Sequence, residues 1–211
     1  MAQLSLSITT GGATIDLTGL SYTDWAAWNN VASFTPSDRK NGGGSLISAA
    51  AFGGATPVAT GAGFITVSWT DGTPTASSTN TGAAVMMPLN TVGVGYEVTF
   101  PMTTATRIAR VFMIVGDATA RVTAIVSDGS TGNQVDSTTL AAGAGTNLTG
   151  DIQVTYSGNG SGTMKIRVEI LSSVSGTGGC GIQAAAVKLN SPEITADPAN
   201  ATAYEGNTAT F

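Results

Sequence analysis

The stretch Met164-Lys165-Ile166-Arg167-Val168-Glu169-Ile170 decides the fold. Apolar and charged residues alternate along it with a period of two, the spacing that sends successive side chains to opposite faces of a strand. One face covers a core and the other meets solvent. Residues 151–156 repeat the pattern, with Ile152, Val154 and Tyr156 inward. Residues 107–115 and 120–127 read as longer strands. The first becomes continuously apolar at Val111-Phe112-Met113-Ile114-Val115. Such a run marks either a central strand covered on both faces or a contact between subunits.

Further strands are predicted at 4–9, 14–17, 45–50, 64–69, 83–87, 96–100, 134–139 and 181–189. Turn signals separate them: Thr10-Gly11-Gly12, Asn41-Gly42-Gly43-Gly44, Asp71-Gly72-Thr73-Pro74, Asp128-Gly129 and Ser157-Gly158-Asn159-Gly160-Ser161-Gly162. Glycine supplies the backbone freedom such turns require. Many short strands at this spacing predict an all-β fold, a jelly-roll-like antiparallel β-sandwich. Residues 22–30, with Asp24 placed as an N-cap, are the one helical candidate.

Composition agrees. Charged residues make up 10% of the 211, well below the roughly 25% usual for soluble domains. The polar surface is therefore built largely from Thr, Ser, Asn and Gly, residues that favour strands and turns over helices. The eight Lys and Arg residues are scattered and the net charge is −5. No basic face is visible to neutralise phosphates, so no nucleic-acid partner is expected. Cys180 stands alone and the chain has no His. That excludes an intrachain disulfide, zinc sites of the His/Cys kind and every catalytic dyad or triad that uses His. No D-x-D-x-D-G loop is present either, so no metal or cofactor is assigned. The N-terminus lacks a basic n-region and an apolar h-region, and no apolar run approaches the ~20 residues of a membrane span. Either a leader is missing from this sequence or the protein does not use the secretion pathway, and no insertion into a membrane is expected.

Asn190-Ser191-Pro192 reads as a boundary, which divides the chain into a sandwich over 1–189, a linker over 190–193 and a second unit over 194–211. The last part runs Ala203-Tyr204-Glu205-Gly206-Asn207-Thr208-Ala209-Thr210-Phe211. It resembles the opening of bacterial and phage immunoglobulin-like modules, where a Glu-Gly step enters a strand with alternating inward residues. That resemblance implies the first strands of an incomplete immunoglobulin-like domain, cut at Phe211 in mid-strand, and hence a longer polypeptide.

Three further motifs occur in order. They are Thr23-Asp24-Trp25-Ala26-Ala27-Trp28, then Asp38-Arg39-Lys40 with Gly42-Gly43-Gly44, then Ser68-Trp69-Thr70-Asp71-Gly72-Thr73-Pro74-Thr75. Together with residues 104–127 and the Ser127-Asp128-Gly129-Ser130 turn, they resemble a β-sandwich module of bacterial and phage multidomain surface proteins. The resemblance spans residues 22–189 and implies an adhesive or accessory role.

Trp25, Trp28 and Trp69 are candidates for a sugar-stacking platform, with Asp24, Asp71 and Arg39 placed to hydrogen-bond the hydroxyls. The competing reading packs these rings in the core, since Trp is strongly buried on average. Asp24, Asp38 and Asp71 would serve a glycan-cleaving enzyme only if they converged in a cleft. No catalytic residues are assigned. Val111, Phe112, Met113, Ile114 and Val115 are the candidate subunit contact.

The expected function is a non-enzymatic structural protein on the surface of a tailed bacteriophage virion: capsid decoration, head fibre or tail component. Its expected partners are other virion proteins or copies of itself as a homo-oligomer, with host cell-surface glycans beyond them. The alternatives are an extracellular or bacterial cell-surface module for carbohydrate binding and adhesion, or an accessory domain of a glycan-cleaving enzyme.

Overall fold

The computed structural model describes residues 2–190 except 13, 62–64, 89, 130–132, 175 and 177. The predicted immunoglobulin-like start at 194–211 and the linker beyond Asn190 lie outside the described residues. Among those described there is no α-helix, and so none long and apolar enough to cross a membrane.

Seventeen strands follow one another among the described residues. The first nine are β1 (Gln3–Thr10), β2 (Ile15–Asp16), β3 (Asp24–Ala27), β4 (Asp38–Lys40), β5 (Ser48–Phe52), β6 (Val58–Thr60), β7 (Val67–Trp69), β8 (Gly72–Thr73) and β9 (Ser78–Thr81). The rest are β10 (Ala84–Met86), β11 (Gly95–Pro101), β12 (Arg107–Gly116), β13 (Ala118–Ser127), β14 (Gln134–Ala141), β15 (Asn147–Ser157), β16 (Thr163–Ser173) and β17 (Gly179–Leu189). The helical expectation for residues 22–30 is corrected: their centre is the strand β3. Both of its faces are buried, so no polar face breaks the run and the two-residue alternation is hidden.

The protein is an antiparallel β-sandwich. A larger sheet runs β1-β15-β12-β17-β3-β4-β8, and β10, extended by β6, shares with β3 the far side of β17. A five-stranded sheet runs β14-β13-β16-β11-β5. Long antiparallel pairs dominate: the chain crosses from one sheet to the other between β15 and β16, while β12 lies between β15 and β17 along its whole length. The alternation that reads so clearly in β16 is realised as drawn. Met164, Ile166, Val168 and Ile170 are fully buried between the sheets, and Lys165, Arg167 and Glu169 point outward.

A third, small sheet of β2, β7 and β9 closes the outer face of the larger one, with β2 and β7 parallel. Beneath it lies a second apolar cluster of Ile15, Leu17, Tyr22, Trp25, Ala27, Ile65, Val67, Trp69, Phe112, Ala184 and Ala186. The centre of the larger sheet is thus covered twice. Val111, Met113 and Val115 face the main core, Phe112 faces the second cluster, and Ile114 is fully buried as well. All five are inaccessible within a single chain, so the expectation that they form a subunit contact is corrected. They form instead a central strand covered on both faces.

Cys180 is buried in the main core, and burial pushes its thiol up to about 12. Thiolate is the reactive form. Iodoacetamide at mildly alkaline pH should therefore leave the native protein unmodified and label it once in denaturant, as read by mass. Rapid labelling of the native protein would contradict this packing.

Candidate functional site

The three sequence motifs do meet in space, through the neighbouring strands β3, β4 and β8. Ala26 pairs with Arg39 and Arg39 with Thr73, so the Trp-rich, Arg-Lys and Asp-Gly-Thr-Pro segments are consecutive strands of one sheet. Their side chains are spent on each other. The Trp25 and Trp69 rings pack 5.3 Å apart at 45°. The Trp25 indole N–H donates to Asp71 Oδ1 at 3.0 Å, and Thr18 Oγ donates to the same oxygen at 2.6 Å. Trp69 donates to the carbonyl of Thr75 at 2.9 Å, and Trp28 to that of Phe34 at 2.8 Å. Every indole N–H is satisfied internally, as buried polar groups require.

The accessible surface of these rings is 0% for Trp25 and Trp28 and 1% for Trp69. A sugar stacks on an open ring face, and none is available here. The expectation of an exposed platform on Trp25, Trp28 and Trp69 is corrected: Trp28 fills the main core, and the other two fill the cluster under the small sheet.

The polar residues assigned to that platform are structural in the same way. Asp24 is fully buried, and its Oδ2 accepts the Leu46 N–H at 2.6 Å. A side chain at Gly43 would collide with this carboxylate, so the Gly42-Gly43-Gly44 turn is read as a close approach. Burial is the largest influence on Asp24 and raises its carboxyl above the usual range, against the N–H groups of Leu46 and Trp25 and the charges of Arg39 and Lys40. Arg39 donates to the Ile47 carbonyl at 2.9 Å. Asp71 lies 3.6 Å from the Lys40 ammonium, and Asp38 accepts the Thr75 N–H at 2.9 Å. Asp24, Asp38 and Asp71 therefore each bind the chain itself, and none lines an open cleft on the other sheet.

That cleft lies on the outer face of the five-stranded sheet. Its register sets out three rows: Val135-Ile125-Lys165-Thr99-Ser48, then Ser137-Thr123-Arg167-Glu97-Ala50, then Thr139-Arg121-Glu169-Gly95-Phe52. Between the first two rows and the β13–β14 turn is an open depression of about 300 Å³, lined by Glu97, Ile125, Ser127, Asn133, Thr163, Lys165 and Arg167. Glu97 sits at its floor. It accepts from Arg167 Nε at 3.0 Å and Nη2 at 2.7 Å, and from Lys165 Nζ at 3.3 Å. Arg167 also lies over the Phe52 ring, 4.2 Å from its centroid. Burial alone would raise the Glu97 carboxyl, but the Arg167 hydrogen bond and the two cations outweigh it and hold the carboxyl below its ordinary value.

Sequence reading missed this site. Lys165, Arg167 and Glu169 registered only as a solvated strand face. The pairing of Glu97 with Arg167 depends on a register between strands 70 residues apart. Among the described residues, no group of three or more acidic or Cys side chains gathers as a metal ion would require.

No protein-family model matches the chain, and no curated protein matches it in sequence. Solved structures resemble it in chain course. One is the tailspike protein 4 enzymatically active domain of bacteriophage CBA120, at 15% identity over 77% of this chain and TM-score 0.43. Another is the CBM22-1 xylan-binding domain of Xyn10C from Paenibacillus barcinonensis, at 10% identity over 82% and TM-score 0.49. A third is TmCBM61 in complex with β-1,4-galactotriose, at 11% identity over 77% and TM-score 0.40. The chain spans 21% of the tailspike chain, 97% of the xylan-binding domain and 99% of the galactotriose complex. At these values the likenesses assign neither family nor ligand to this chain.

Two outcomes follow from the packing. Trp69→Ala should destabilise the fold by about 3–5 kcal/mol in urea unfolding, the range for emptying a large buried aromatic site. A loss below ~1 kcal/mol would mean that the ring is not buried as described. For Glu97 the folded-state pKa is lowered, so its ion pairs stabilise above the ordinary glutamate range and that contribution is lost as pH falls through the lowered value. Wild type should melt above Glu97→Gln at neutral pH, with the gap closing on acidification. A gap that is constant with pH would contradict the pairing.

Proposed function

We propose that this chain is a non-catalytic glycan-binding β-sandwich, displayed outside the cell or on a particle surface, which works through the outer face of its five-stranded sheet. One observation carries the reading: the depression over Glu97, Lys165 and Arg167 is open and ringed by hydrogen-bonding side chains on a rigid sheet. Lys165 and Arg167 remain 39% and 33% exposed, and Ser127, Asn133 and Thr163 border them. A saccharide presents many hydroxyls at fixed spacing, and such a border of donors and acceptors matches them. Strand positions hold these groups more firmly than loops would.

The carboxylates support binding over cleavage. Glycoside hydrolysis uses two carboxyl groups flanking the bond, one of them kept protonated by a raised pKa. Glu97 is the one carboxylate lining the depression, and its cations push it the other way. Glu169, in the neighbouring row, is tied to Arg121 Nη2 at 2.6 Å. A binding activity of this kind serves a virion component, a cell-surface adhesin or an accessory module of a glycan-cleaving enzyme equally well.

A glycan array probed with the wild type and with Lys165→Ala tests the proposal. The wild type should retain at least one glycan, and the variant should bind it about tenfold more weakly, as loss of a charged hydrogen-bond donor implies. An array on which the wild type retains nothing, or on which both proteins bind alike, would sink it.

A further inference from the structure

Resting on the glycan-binding reading above, we infer that the ligand of this face is a uronic-acid-bearing glycan. Its carboxylate is received by the Lys165 ammonium and the free edge of the Arg167 guanidinium.

Charge distribution is the first ground. The chain is acidic, with eight Lys and Arg against thirteen Asp and Glu. Yet the outer face of the five-stranded sheet carries three of the eight cations (Arg121, Lys165, Arg167) and two of the thirteen anions (Glu97, Glu169). Three minus two leaves this face at +1 on a chain of net −5. A face of net +1 on a chain of net −5 is the more favourable place for an anionic ligand.

Unused donors are the second ground. Arg167 directs Nε and Nη2 at the same oxygen of Glu97, and Nη1 has no partner among the described residues. The ammonium of Lys165 carries three N–H groups and makes one contact, at 3.3 Å. Glu97, 18% exposed and on the neighbouring strand, accepts from both and restricts their directions, and all three line the depression. Planar guanidinium edges suit carboxylates, which accept two parallel hydrogen bonds.

The third ground is the closed stacking surface. Among the described residues Phe52 is the one aromatic side chain outside the buried set, and the Arg167 guanidinium occupies its face. Neutral polysaccharides have few handles besides hydroxyls and ring faces. Here the ring face is taken, so charge is left as the discriminating contact.

The test is calorimetric titration with oligogalacturonates and with their methyl esters, which share the backbone and differ in charge, beside neutral xylo-oligosaccharides. The acid form should bind about tenfold tighter than the ester at low salt, with the advantage shrinking as salt is added. Lys165→Gln and Arg167→Gln should each weaken the acid more than the ester and so close the gap between them. Lys188→Gln, in the other sheet, should change neither. Lys165→Gln alone suffices if the Arg167 variant does not fold. Equal binding of acid and ester, tighter binding of the xylo-oligosaccharides, or an acid advantage that survives Lys165→Gln would overturn the uronate inference and leave glycan binding standing. Failure to bind any of the three, together with an empty glycan array, would remove both.

Discussion

Strands β12, β17 and β3 lie in the middle of a sheet that is buried on both sides, and much else follows from that requirement. A sheet covered once needs an apolar residue at every second position. Covered twice, it needs one everywhere. β17 answers with Ala184, Ala185 and Ala186, and β3 with Trp25-Ala26-Ala27, all at or near zero exposure. The alanines keep the sheet surface flat and thin, which leaves room for the Trp25 and Trp69 rings against it beneath the small sheet. Large and small residues thus interlock across the layer, as close-packed interiors demand. The cost is polar. Gln183, the extra residue where the β12–β17 register shifts, is buried, and its amide N–H reaches the Ile65 carbonyl at 2.6 Å. Asp71, Thr75 and Phe34 serve the three indoles in the same way.

This double covering explains which parts of the architecture were legible in the sequence. Strands with one buried face, β11, β13, β15 and β16, alternate cleanly and could be drawn from composition and spacing alone. The run at Val111–Val115 showed that both faces of its strand are covered, but not that the second cover comes from the same chain and not from a neighbouring subunit. β3 did not: two tryptophans three apart with alanines between them fit a helix as well as a doubly buried strand. The short strands β4, β6, β8 and β9 are too brief to show any period. Trp25, Trp28 and Trp69 were conspicuous, but conspicuousness does not distinguish an exposed ring from a buried one. The deciding facts are the partners of their N–H groups. For Trp25 that partner is 46 residues away, on a segment whose pairing no local pattern reveals.

Two arginines in the protein show how one residue type is used in opposite ways. Arg110 projects from β12 on the outer face of the larger sheet. Its Nε and Nη2 both bind the Asp151 carboxylate, its Nη1 donates to the Tyr22 hydroxyl at 2.7 Å, and its guanidinium lies 5.0 Å from the Phe112 ring. Each nitrogen has a partner, and the side chain is 18% exposed. Such an arginine ties Asp151 to the second apolar cluster through Tyr22 and Phe112 and has nothing left to offer a ligand. Removing its partner would strand a desolvated charge, which is costly.

Arg167 makes the same kind of carboxylate contact and the same kind of contact with a phenylalanine ring, but it leaves Nη1 free and is 33% exposed. Screening by water makes its pair with Glu97 worth little as a staple. What the pair supplies is direction. A long side chain on an open sheet would otherwise sample many rotamers, and ordering it at the moment of binding would weaken the complex. With Glu97 below, Phe52 alongside and Lys165 one row away, the donor edge is already aimed into the depression. The saturated Arg110 of the doubly covered sheet and the unsaturated Arg167 of the singly covered one thus follow from the same architecture. The face that a third layer has closed spends its polar groups inward, and the face left open keeps donors for something outside the chain.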